Sequence, residues 1–163
     1  MDIYDEDLLN FWRCMNLFQV KYIMVGGFAT NFHGYSRFTA DVDIWIKDSN
    51  ENRVALRKAL EKSENSNFEP IETMQFIPGW SAVFIASGIE LDIMTRLKSF
   101  EQEQFDECFK IAFHAEIHDV DVPFLHINQL IEEKRNVARH KDLEDVEELE
   151  KIRKISNEKN NDI

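Results

Sequence analysis

Three aspartates stand where a charge needs a reason. Asp41 and Asp43 lie in the run Asp41-Val-Asp-Ile-Trp-Ile46, which alternates polar and apolar residues with period two. On a strand this puts both carboxylates on one face and Val42 and Ile44 on the other. Asp92 sits in Ile89-Glu-Leu-Asp-Ile-Met94, a second apolar run. Carboxylates a few ångströms apart repel and raise each other's pKa unless a cation lies between them. Mg²⁺ suits such a site, because it prefers hard oxygen ligands and keeps room for water and phosphate oxygens. Upstream, Gly26-Gly27 follows the apolar stretch Tyr22-Ile-Met-Val25 and precedes a short helical segment, a layout that can present backbone N–H groups to phosphate. Taken singly these signals are weak: Asp-x-Asp fits a solvated strand face better than a metal site, and Gly-Gly fits a tight turn. Together they make the two halves of a nucleoside-triphosphate site.

The elements that must position these residues can be read from periodicity. Helices are expected over Asp5–Phe18 with Asp5 as N-cap, over about Phe28–His33 ending at Gly34, over Asp48–Ser63 with a capping box from Asp48 to Glu51, and over Glu101–Cys108. Two more close the chain, one from the cap Asn128 to about Ala138 and one from Lys141. In the second, Leu143, Val146, Leu149, Ile152 and Ile155 form an apolar face. Strands are expected at Lys21–Val25, Asp41–Ile46, Ile71–Phe76, Ser81–Ala86, Ile89–Met94, Ile111–Ile117 and Val120–Leu125, with Ser87-Gly88 joining a hairpin. The order predicts an α/β (α+β) domain, a mixed β-sheet packed with helices and closed by C-terminal helices. Residues 1–156 read as one domain and Asn157–Ile163 as a frayed polar tail.

Composition narrows the function classes. The 163 residues include 13 Phe and 3 Trp, enough large apolar side chains to build a core. The net charge of −12 argues against a broad nucleic-acid-coating surface, although a local cationic pocket remains compatible with it. Cys14 and Cys108 lack metal or redox spacing and read as reduced interior thiols. The acidic N-terminus has no signal-peptide character and no apolar run is long enough for a membrane span, so a cytoplasmic protein is expected. There is neither Gly-x-x-x-x-Gly-Lys-Ser/Thr nor Gly-x-Gly-x-x-Gly.

The stretch from Val25 to Ile46, with Gly26-Gly27, a spacer holding a short helix, and Asp41-Val-Asp43 between hydrophobic residues, resembles the polymerase-β-like nucleotidyltransferase superfamily. The closer likeness is to AbiEii-type toxin-like and minimal nucleotidyltransferases, which share the approach seen here as Arg37-Phe-Thr39-Ala-Asp41-Val-Asp43. Leu130-Ile-Glu-Glu-Lys134 and Arg139-His-Lys-Asp142-Leu-Glu-Asp145 are similar to that branch's C-terminal Lys…Arg-x-Lys-Asp-x-x-Asp segment.

The resemblance implies a nucleotidyltransferase fold and a Mg²⁺-dependent enzyme, with one or two ions and Mn²⁺ as a substitute. It would move an NMP from an NTP to an acceptor hydroxyl on RNA, protein or a small molecule. It implies Asp41, Asp43 and Asp92 as metal ligands and catalytic carboxylates, with Asp92 near the acceptor hydroxyl. Gly26 and Gly27 would hold phosphates, with Arg37 and Thr39 beside them, and Lys134 and Lys141 would reach the triphosphate. A cognate antitoxin or other protein partner follows from the same likeness, and a non-catalytic domain of the same fold is the alternative. Some residues read less specifically: Arg37 binds phosphate or pairs with a carboxylate, and His33 fits a helix end better than a base. Lys134, Arg135, Arg139 and Lys141 form the one basic patch, with Asp142 and Asp145 either orienting it or opening a helix. The chain is shorter than many AbiEii-type relatives, so the acceptor-binding part is reduced or comes from a partner.

Overall fold

A computed structural model describes residues 5–77, 79–86 and 88–161, the side chains of 159–161 excepted. The elements run α1 (Glu6–Leu17), β1 (Tyr22–Met24), α2 (Gly26–Phe32), β2 (Asp41–Ile46), α3 (Asn50–Glu64), β3 (Trp80–Ile85), β4 (Ile89–Met94), α4 (Phe105–Lys110), β5 (Phe113–Ile117), β6 (Val120–Phe124), α5 (Ile127–Val137) and α6 (His140–Asn161). The six strands form one mixed sheet, in the order β3-β4-β2-β1-β6-β5. Neighbours pair antiparallel except β2 with β4 and β1 with β6, which are parallel. The mixed α/β class expected from the sequence is the class observed.

Alternation decides which face is core. Val42, Ile44, Leu91 and Ile93, the residues interleaved with the aspartates, are fully buried. α1 and α3 pack on each other, α1 against β6 and α3 against β3, which closes that face. On the opposite face Trp45, two residues beyond Asp43, is covered by Phe100 and Phe105. α5 and α6 pack together, and α2 packs on β2.

Several expected boundaries move, each for a local reason. No strand forms at Ile71–Phe76; Glu69–Glu72 is a 3₁₀ turn with Pro70 in its first turn, where a missing N–H costs nothing. Arg53 holds the segment against α3 through the carbonyls of Ile71 (3.2 Å) and Met74 (2.6 Å) and lies over the Phe76 ring. α3 is capped by Ser49, whose Oγ accepts from the Asn52 N–H, while Asp48 pairs with Arg53 instead of capping. α5 is capped by His126 in place of Asn128, which lies in the first turn and accepts from Arg153. The 101–108 helix opens as a 3₁₀ turn over Gln102–Gln104, and α4 follows it. In α6 the buried residues are Asp142, Asp145, Val146 and Leu149, while Leu143 and Ile155 are about half exposed. α6 continues to Asn161; residues 162 and 163, like Ser87 of the expected hairpin turn, lie outside the described residues. Asp5 caps α1 as expected, and both cysteines are free and buried.

Asn52 stitches this frame together. Its buried amide accepts from Lys21 N (2.7 Å) and donates to the carbonyls of Lys21 (2.9 Å) and Lys47 (2.7 Å), joining the start of α3 to the entry of β1 and the exit of β2. Asn52→Ala strands those backbone groups in a buried setting and is expected to cost about 1–3 kcal/mol, read as a lower urea midpoint with an unchanged m-value.

Candidate functional site

The turn from β1 into α2 carries Gly26 and Gly27 as the first two residues of the helix, with no preceding loop. Gly26 takes φ +61°, and a Cβ there would fall 1.9 Å from Asp43 Oδ2. A Cβ on Gly27 would fall 2.4 Å from Thr39 Oγ1. Both glycines are therefore required by close approach, and at Gly26 also by a left-handed backbone. Thr39, almost fully buried, bonds Asp41 Oδ1 at 3.1 Å and so fixes the first carboxylate.

The register of the sheet completes the cluster. β2 and β4 run parallel with Asp43 directly beside Asp92. Ligand oxygens of Asp41, Asp43 and Asp92 all lie within 4.8 Å of one another. Burial, with the charges of Asp41 and Asp92 behind it, pushes the Asp43 carboxyl up to about 6; the Gly27 N–H and Lys134 work the other way. Burial also raises Asp92, aided by Glu90 and Asp41. Asp92 Oδ1 is buried and has no hydrogen-bond partner among the described residues. Three hard oxygen donors, mutual repulsion and an orphaned buried oxygen fit a divalent cation.

The cations stand across from this cluster, held by aspartates of α6. Lys134, almost fully buried on α5, bonds Asp145 at 2.6 Å and approaches Asp142 at 3.5 Å. Asp145 also pairs with Arg37 Nε at 2.8 Å, so one carboxylate with no solvent exposure joins the loop before β2 to α5. Burial disfavours the charged form of Asp142, but hydrogen bonds from Arg139 and the charge of Lys134 outweigh it and hold its pKa below the ordinary value. Of the readings left open from the sequence, Asp142 and Asp145 orient the basic residues, and Arg37 pairs with a carboxylate. Arg135 pairs instead with Glu150 on an exposed face. His33 is the C-cap of α2 and bonds the Leu125 carbonyl at 2.8 Å.

A cavity of about 600 Å³ gathers these groups, within the range of small-molecule sites. Gly26, Gly27, Arg37, Thr39, Asp41, Asp43, Asp92, Lys134 and Lys141 all line it. Sequence reasoning missed Phe38, Trp80, Met94, Leu97 and Val137, which line it as well. Phe38, in the loop before β2, and Trp80, on β3, are 80% and 48% exposed, and neither a loop aromatic nor one on an alternating strand gives a sign of what it looks onto.

No family model matches the chain, and no curated protein sequence matches it. Solved structures do. A Thermotoga maritima protein provisionally assigned as a nucleotidyltransferase superposes with a TM-score of 0.53 at 19% identity, over 94% of this chain and 92% of that one. An antigenic nucleotidyltransferase-like protein from Paracoccidioides brasiliensis superposes with a TM-score of 0.53 at 17% identity, over 88% of this chain and 72% of that one. The chain has the nucleotidyltransferase fold. Among the described residues no helix is long and apolar enough to cross a membrane.

Proposed function

We propose that the protein is a Mg²⁺-dependent nucleotidyltransferase that moves an NMP from an NTP to an acceptor hydroxyl. The observation that carries this reading is the convergence of Asp41, Asp43 and Asp92 on one wall of a cavity whose other walls bring Gly26-Gly27, Lys134 and Lys141. Asp41, Asp43 and Asp92 would hold the cation, which would neutralise their charge and that of the phosphate oxygens. Gly26 and Gly27, lacking side chains, let phosphate approach the carboxylates closely. Lys134, Arg139 and Lys141, which line the same cavity, would offset the charge of the departing pyrophosphate. Asp92, its carboxyl raised by burial above the ordinary value, would take the proton of the acceptor hydroxyl. Most of the rate enhancement asked of such a site is positioning and charge stabilisation.

The acceptor, whether RNA, protein or small molecule, belongs to this proposal, as does a role in a toxin–antitoxin pair. The latter rests on the AbiEii-like segments around Lys134 and Asp142. A non-catalytic binding domain is less well supported, because a half-buried cluster of like charges destabilises a fold that has no use for it.

The test is binding of each of the four NTPs with Mg²⁺ or Mn²⁺, read by calorimetry and thermal shift, then transfer of label from an α-labelled NTP. Saturating the site at about 100 times Kd is expected to stabilise the protein by about 2.7 kcal/mol. The reading fails if no NTP binds with either metal.

A further inference from the structure

We propose that the end of the cavity formed by Trp80, Met94 and Leu97 holds the nucleobase of the NTP, with the Trp80 indole as its stacking surface. This deepens the nucleotidyltransferase reading and rests on it. The cavity is chemically divided. Its carboxylates, glycines and cations serve a metal and phosphates, whereas Trp80 and Met94, paired across β3 and β4, and Leu97 just beyond them add uncharged lining. Glu133, a charged residue of the lining, already accepts from Lys98 N (2.9 Å) and Ser99 N (2.8 Å), which fastens the segment after β4 to α5.

Trp80 is fixed in backbone and open in side chain. It pairs with Met94 at the end of the β3–β4 hairpin, and the preceding Gly79 carbonyl accepts from Thr95 N at 2.8 Å. Its ring is 48% exposed, while Trp12 and Trp45 have no exposure, and no described ring stacks on it. Ala82 stands beside Asp92, so Trp80, two residues along the same face, lies one strand over and roughly 7 Å up the strand from the row of Asp92 and Asp43. That offset is on the scale of the ribose that separates an α-phosphate from its base. A planar, uncharged ring fits this wall; a phosphate does not. Stacking of a base on an aromatic side chain is worth roughly a tenfold to hundredfold in affinity.

The experiment measures Mg²⁺-dependent binding of the four NTPs and of inorganic tripolyphosphate to the full chain, its Trp80→Ala and its Trp80→Phe variants. Trp80→Ala is expected to weaken NTP binding roughly tenfold to hundredfold, leave tripolyphosphate unchanged, and be largely rescued by Trp80→Phe. NTP binding to the wild type should also quench the exposed indole's fluorescence, and this quench should vanish in Trp80→Phe. Equal losses for NTP and tripolyphosphate would mean a structural role, and no loss for either would place the base elsewhere and leave this wall to the acceptor; both overturn the proposal. Wild type that binds tripolyphosphate no more weakly than NTP also overturns it. Wild type that binds neither overturns the nucleotide reading itself.

Discussion

Asp43→Asn is expected to abolish nucleotidyl transfer, by roughly a thousandfold or more, while making the metal-free protein more stable than wild type at pH 7.5. The two effects have one cause. The Asp43 carboxyl titrates at about 6 in the fold against an ordinary 3.8. A carboxyl whose pKa rises on folding keeps a proton that the unfolded chain has released. The contribution of Asp43 to stability is therefore most favourable below about pH 4, falls as pH rises to about 6, and stays reduced above it by roughly 2–3 kcal/mol. The amide removes that term, so the melting temperature of the metal-free variant should rise by roughly 5–10 °C at pH 7.5 and the rise should disappear near pH 4. Mg²⁺ should raise the wild-type melting temperature at pH 7.5, less so at pH 5 where Asp43 is protonated, and leave the variant unmoved. A variant less stable than wild type at pH 7.5 would show that Asp43 is not held under repulsion.

Asp145→Ala is expected to produce the largest loss of stability of any single change at the site. Asp145 is fully buried and pairs with both Lys134 and Arg37. Removing it leaves Lys134, buried on α5, with only the 3.5 Å approach of Asp142. Breaking a buried pair by deleting one member costs about 3–5 kcal/mol, or roughly 10 °C in melting temperature for a domain of this size. A second substitution, Lys134→Met, removes the stranded charge and should recover part of the stability but none of the nucleotide affinity. If the double variant is no more stable than Asp145→Ala alone, the pair is not the source of the loss.

The parts of the molecule most legible in the sequence were those fixed by local alternation. The run 41–46 became β2 with the bounds it announced, because every second residue is strongly apolar and buries against helices. Ile71–Phe76 was illegible for the opposite reason: Pro70 and the distant Arg53, joined to it only by folding, overrule its apolar content. At the site, the spacing of the glycines and aspartates announced them as neighbours, and they are brought together. Asp145 was legible only as one of two alternatives, which were decided when α6 turned it inward onto Lys134. Trp80 is hidden, because which face of β3 looks onto the cavity depends on a register set from β4.

That register has a consequence for how the site comes into being. β2 and β4 are joined by a long connection containing α3 and β3, and their parallel pairing is a non-local contact of the kind that forms late and slowly. A slip of one residue between them would turn Asp92 to the core side and expose Leu91 or Ile93. Fully buried Leu91 and Ile93 thus act as the ruler by which Asp92 is set against Asp43. Half-built forms of the chain lack the third carboxylate: Asp92 joins Asp41 and Asp43 only when the hydrophobic face beneath them has closed, and quality control of the core is at the same time quality control of the chemistry.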